Sequence, residues 1–120
     1  MADRLLSPRL ADIIEAIDNI RSVLNQTSLE TFEDDWQKRW LVERGIEIIS
    51  EASRYIPAAV KAGHSEIPWV KVAGIGNVLR HAYDRIAPDI LWKLAREDLS
   101  ALYEVCRAEY RAALAREQKG

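Results

Sequence analysis

Apolar residues recur along this chain at three- and four-residue steps, and nowhere do they alternate long enough for a strand. From Ser7-Pro8 onward, Leu10, Ile13, Ile14, Ile17, Ile20 and Leu24 trace one helical face. Ser7 is a candidate cap, and Pro8 stands where its missing N–H costs nothing. Thr27-Ser28-Leu29-Glu30 has the spacing of a capping box, with Thr27 accepting from the Glu30 amide. It opens a helix expected from Ser28 to Tyr55, ending before Pro57. Phe32, Trp36 and Trp40 fall at four-residue steps on it, followed by Ile46, Ile49 and Ala52. Asp34-Asp35 and Lys38-Arg39 stand at the spacing of i,i+4 ion pairs. Gly45 inside this helix costs about 1 kcal/mol relative to alanine, which a second helix crossing closely there would explain. Pro57 to Pro68 reads as a connection centred on Gly63, His64 and Ser65. Pro68 opens a third helix, with Val72, Ile75, Leu79 and Ile86 on its apolar face. Ala87-Pro88-Asp89 breaks the chain, and a last helix carries Leu91, Leu94, Leu102, Val105 and Cys106. The pattern predicts an all-α fold, one domain over residues 1–120, built as an antiparallel bundle of about four to five helices.

Composition narrows the function classes. Seventeen Lys and Arg against nineteen Asp and Glu leave a net charge of −2, so a polyanion has to be met by a local patch and not by a global field. No apolar run approaches the roughly 18–20 residues a bilayer requires. The start, Met-Ala-Asp-Arg-Leu-Leu-Ser-Pro, lacks the apolar stretch of a secretory signal, so no membrane association and a cytoplasmic location are expected. The single cysteine, Cys106, excludes an intrachain disulfide and a multi-cysteine zinc site; its place in an apolar stripe marks a small core residue. Two histidines and one cysteine make no convincing metal site in one chain, so neither metal nor cofactor is expected. His64, on the Gly/Ser loop, reads as an ordinary surface residue.

The informative segment runs from Gly74 to Arg85. At 100° per residue from Val72, Ile75, Leu79, Tyr83 and Ile86 stay within about 60° of the core direction. His81 falls at about 180°, Asn77 at about 140°, Asp84 at about 120° and Arg85 at about 220°. Asn77, His81 and Arg85 are thus successive i,i+4 neighbours on the side away from the core. Most such stripes are solvated helix faces. Gly74 and Gly76 just upstream change the weighting, because glycine is a poor helix residue unless something approaches the backbone. His81 can serve as acid or base near neutrality, and Arg80 or Arg85 can hold a phosphate.

Ile67-Pro68-Trp69 followed by Gly76-Asn77-Val78-Leu79-Arg80-His81-Ala82-Tyr83 resembles the signature of the HepT-like branch of the HEPN superfamily, in which Arg, Asn, three variable residues, His, one variable residue and Tyr follow in order. Upstream, Arg44-Gly45-Ile46-Glu47-Ile48-Ile49-Ser50-Glu51-Ala52 resembles that family's second-helix pattern ending in Glu-Ala. Downstream, Pro88-Asp89-Ile90-Leu91-Trp92 and Asp98-Leu99 resemble its closing helix. The resemblance implies an all-helical homodimer acting as a toxin, a metal-independent ribonuclease whose paired Arg and His residues meet across the dimer interface. It implies a partner too: an MNT-type nucleotidyltransferase antitoxin that silences the toxin by transferring AMP to the tyrosine of the His-x-Tyr motif. Carried onto this chain, His81 is the acid/base, Asn77 its polar neighbour and Tyr83 the modified residue.

One position departs from the pattern. Gly76 stands where the catalytic arginine is expected, five residues before His81. Arg80 points to nearly the same side, about 6 Å further along the axis, and its long stem can reach back across the space Gly76 leaves empty. Two readings follow: a relocated arginine in a ribonuclease, or a catalytically degenerate domain that binds a nucleotide or a partner as a helical dimer.

Overall fold

The computed structural model describes residues 5–82 and 87–119. Within them lie α1 (Ser7–Leu24), α2 (Leu29–Asp34), α3 (Trp36–Ser53), α4 (Ala58–Ala62), α5 (Trp69–Ala82), α6 (Pro88–Lys93), a π-helical segment (Leu94–Asp98) and α7 (Ser100–Lys119). Among the described residues there is no strand, which agrees with the all-α expectation. The four long helices carry the architecture. In space they run in the order α7, α1, α3, α5, so α5 sits at the edge with α3 as its main neighbour.

Adjacent helices are antiparallel, and tertiary contacts fix their register. Between α1 and α3, Lys38 Nζ donates to the Val23 carbonyl at 3.1 Å, and at the other end the Arg9 guanidinium lies 3.9 Å over the Tyr55 ring. Between α1 and α7, Tyr103 Oη donates to Asp18 at 2.9 Å, while the Ser7 hydroxyl and amide both donate to Glu117. The core sits where the apolar stripe of α1 (Leu10, Ile13, Ile17, Ile20, Leu24) meets Val42, Ile46 and Ile49 of α3 and Leu102 and Cys106 of α7. Each fully buried large aliphatic side chain contributes about 1.5–3 kcal/mol. Burial, helped by the charge of Glu109, pushes the Cys106 thiol up to about 12, so it stays protonated. The crossing inferred at Gly45 is present: a Cβ there would stand 2.8 Å from two side-chain carbons of Ile20.

Several local expectations give way to side-chain chemistry. The long second helix is two helices, because Asp35 leaves helical geometry and accepts from the Gln37 and Lys38 amides at 3.1 Å, capping α3. Asp35 therefore caps where an ion pair was expected, Lys38 reaches across to α1, and Arg39 bonds the Glu33 carbonyl. The cap of α2 is Ser28, which accepts from the Thr31 amide, and not Thr27. Ser7 lies inside α1 and not at its cap, held by Glu117. Phe32 is buried and meets the Trp92 ring at 5.4 Å, but Trp36 and Trp40 are 52% and 64% exposed. The break at Asp35 separates the aromatic series into one core residue and two surface residues. His64 is no plain surface residue either. It is half-buried, its Nε2 lies 2.8 Å from Glu109 of α7, and its Nδ1 lies 3.8 Å from Glu66. The hydrogen bond to Glu109 is the main reason its pKa is raised.

Candidate functional site

α5 has two faces of different character. Leu79 and Gly76 are buried against the bundle, with Val72, Ala73 and Ile75 half-buried beside them. Asn77, Val78, Arg80 and His81 are exposed, so His81 points away from the core as its helical angle requires. Tyr83 and Arg85, the other two candidate site residues, lie outside the described residues, as does Asp84.

The inner face of α5 is gripped by α3 over a single turn. The Ser50 hydroxyl donates to the Ala73 carbonyl at 2.7 Å and accepts from the Gly76 amide at 3.1 Å. Arg54 Nη2 donates to the same Ala73 carbonyl at 2.9 Å. These bonds place Arg54 beside Ala73 and Ser50 beside Gly76, so the N-terminal half of α3 runs alongside the Arg80–His81 end of α5. They also explain Gly76: a Cβ there would stand 2.7 Å from Ser50 Oγ. Arg80 bends back toward this point, its Nη1 only 3.4 Å from where that Cβ would be. The guanidinium thus lies over the turn that begins at position 76, although its backbone is one turn on.

Glu47 and Glu43 continue the Ser50–Arg54 stripe of α3 at helical spacing. Partial burial raises the Glu43 pKa, the charge of Glu47 one turn away raises it further, and Arg39 opposes both. On its other flank α5 borders an apolar groove of about 810 Å³, floored by Ile46 and Ile49 and walled by Ile75 and Val78 on one side and Leu99 and Leu102 on the other. Lys71, Glu66, Glu97 and Asp98 stand at its rim. The outer face of α5 carries Val70 (88% exposed), Asn77 and His81, flanked by the half-buried Gly74, by Val78 and by the exposed Lys71. A Cβ at Gly74 would meet nothing within 4 Å. An accessible imidazole, an amide one turn back and a folded-back guanidinium are groups suited to proton transfer and anion binding. Among the described residues no group of His, Cys, Asp and Glu is arranged to hold a metal ion, and no helix is long and apolar enough to cross a membrane.

The family model described as Ribonuclease HepT-like matches residues 13–109, from within α1 to midway along α7, and takes in the whole of α5. The chain belongs to the HepT-like family. It is 40% identical over 93 residues to a probable ribonuclease HepT of Thermococcus cleftensis, covering 78% of this chain and 84% of that one. A putative RNase of Methanocaldococcus jannaschii is 32% identical over 99 residues, 82% of this chain and 91% of the relative. A putative RNase of Caldanaerobacter subterraneus subsp. tengcongensis is 27% identical over 95 residues, 79% and 85% of the two chains. No solved structure matches the chain significantly. Sequence reasoning reached Asn77, Arg80 and His81 but passed over Ser50, whose contact with Gly76 joins positions 26 residues apart.

Proposed function

We propose that this chain is a metal-independent endoribonuclease, the toxin of a toxin–antitoxin pair, whose site forms where two copies bring their α5 helices together. The observation that carries the reading is the seat of Arg80: its guanidinium lies beside Gly76, the position where the family pattern expects an arginine, while His81 next to it is open to solvent. RNA supplies its own nucleophile. His81 of one copy takes the 2′-hydroxyl proton as that oxygen attacks phosphorus, and His81 of the second copy protonates the departing 5′-oxygen. Arg80 neutralises the charge that builds on the phosphorane, and Asn77 supplies an amide beside the imidazole. The products are a 2′,3′-cyclic phosphate and a 5′-hydroxyl.

The outer face of α5 supports the dimer. Glycine mid-helix costs about 1 kcal/mol, and among the described residues none comes within 4 Å of a Cβ placed at Gly74. A face that carries Val70, Asn77 and His81 around Gly74, with Lys71 at its margin, suits close approach of a second helix. Two-fold symmetry then supplies both an acid and a base from one residue type. Regulation is assigned to Tyr83: a nucleotidyltransferase antitoxin transfers AMP from ATP to its hydroxyl, releasing pyrophosphate, and the added phosphate competes with substrate for the arginines.

His81→Ala tests the core of this reading. The variant keeps its fold to within about 0.5 kcal/mol, since an exposed helix residue tolerates truncation, and it loses RNA cleavage by about a hundredfold or more together with growth inhibition. Cleavage at the parental rate removes His81 from the chemistry. Gly76 favours one second reading, a binding-only dimer, which predicts no cleavage by the parental chain either. For Tyr83, intact mass after incubation with the transferase and ATP decides: an AMP adduct that persists on Tyr83→Phe rules it out as acceptor.

A further inference from the structure

We propose that Ser50 is a positioning residue for Arg80, and that the side chain at position 50 decides whether position 76 or position 80 carries the phosphate-binding cation. The inference rests on the proposed role of Arg80 and adds the group that sets its place. Ser50 is 1% exposed, and both capacities of its hydroxyl are used on α5: it donates to Ala73 and accepts from Gly76. A Cβ at position 76 would stand 2.7 Å from Ser50 Oγ and 2.9 Å from Ser50 Cβ. Turning Oγ away would break both of its hydrogen bonds to α5, and Cβ is fixed to the α3 backbone, so the clash has no cheap escape. Positions 50 and 76 therefore contend for one volume, and a side chain on α3 excludes a side chain on α5.

The same contact shapes the ground for the arginine. With position 76 bare, Arg80 Nη1 settles 3.4 Å from the excluded Cβ position, next to the serine that fills the notch. Three hydrogen bonds, two donated by Ser50 and Arg54 to the Ala73 carbonyl and one by the Gly76 amide to Ser50, lock the turn from Ala73 to Gly76 against α3. That lock fixes the height and rotation of the next turn, which bears Arg80 and His81. Loss of the Ser50 hydroxyl frees this turn, and a cation displaced by about 1 Å from a phosphorane loses much of its effect on rate.

The test is a double-mutant cycle between Ser50→Ala and Arg80→Ala, measuring kcat and KM on an RNA oligonucleotide in EDTA together with melting temperature. Arg80→Ala is expected to lower kcat about a hundredfold. Ser50→Ala is expected to lower kcat about tenfold with KM little changed, and to add nothing in the Arg80→Ala background, although it lowers melting temperature equally in both. An additive effect on kcat would make Ser50 merely structural and overturn the inference while leaving the reading of Arg80 intact. Unchanged cleavage by Arg80→Ala would overturn that reading, and this inference with it. A swap decides independently, including where Ser50→Ala fails to fold. Ser50→Gly combined with Gly76→Arg and Arg80→Ala should regain at least about tenfold in kcat over Arg80→Ala alone, whereas Gly76→Arg beside an intact Ser50 should melt far lower. Failure of the folded swap to regain activity counts against exchange between positions 76 and 80.

Discussion

Gly45 and Gly76 each let a helix press against α3, on different sides and with different chemistry. At Gly45 the intruder is Ile20, two of whose carbons lie 2.8 Å from where a Cβ would stand. Nothing there but dispersion and burial is gained. At Gly76 the intruder is a hydroxyl that hydrogen-bonds the backbone it approaches, with a guanidinium alongside. At a third glycine, Gly74, a Cβ would meet nothing within 4 Å among the described residues. One residue type thus marks a core crossing, a polar notch and an unfilled surface, and only the chemistry of the neighbour tells them apart. The sequence alone suggests a crossing at Gly45 and a missing arginine at Gly76, but not which atoms meet each glycine.

The largest effect on folding is expected where the contact is purely steric. Gly45→Val should destabilise by about 2–3 kcal/mol through overpacking against Ile20, read as the shift in a urea midpoint. Ile20→Ala in the same chain should return part of the loss by opening the crowded volume; a neutral Gly45→Val would mean that the helices can separate freely. Gly74→Ala should behave in the opposite way. It should gain up to about 1 kcal/mol in monomer stability from helix propensity, yet on the proposed dimer it should weaken self-association, because its methyl would stand between two copies of α5. Light scattering across a dilution series separates the two effects. An unchanged dimer would move the interface away from this face.

Two smaller effects come from titration. Because Glu109 raises the pKa of His64 above its unfolded value near 6.5, the link between the loop and α7 stabilises fully below that value. The contribution is lost as pH rises through the folded pKa. His64→Ala should therefore lower the melting temperature more at about pH 5.5 than at about pH 9. Glu43 carries the opposite sign. Burial raises its pKa, so the charged form counts against folding at neutral pH, and the penalty lifts as pH falls through the folded value. Glu43→Gln should raise the melting temperature slightly at neutral pH, with the difference gone below about pH 4. An equal difference at both pH values would mean that amide and carboxyl differ there in packing and not in charge.

What could be read from the sequence depended on whether the cause was local. The outward direction of His81 follows from the rotation per residue, and the long apolar stripe of α1 follows from spacing alone. Asp35 was equally visible, but one carboxylate at that position can cap or form an ion pair, and only the backbone turn before Trp36 chooses the cap. Trp36 and Trp40 sit at the right step from Phe32, yet a step fixes a face and not what covers it. His64 looked like a loop residue because Glu109, which holds it, lies 45 positions away. The same holds for Ser50: nothing in its own segment announces that its hydroxyl belongs to α5. Tyr83 and Arg85 lie outside the described residues, so their roles rest on the family pattern and on helical spacing.

In the proposed function, α5 builds a metal-free site for cutting RNA, with His81 moving the proton and Arg80 holding the charge. The most direct measurement is cleavage of an end-labelled single-stranded RNA by the purified chain in excess EDTA, with the new ends identified chemically and His81→Ala run beside it. The parental chain should form fragments ending in 2′,3′-cyclic phosphate and starting with 5′-hydroxyl, and the variant should form none. Intact RNA, cleavage that appears only when a divalent metal is restored, or equal cleavage by His81→Ala would contradict it.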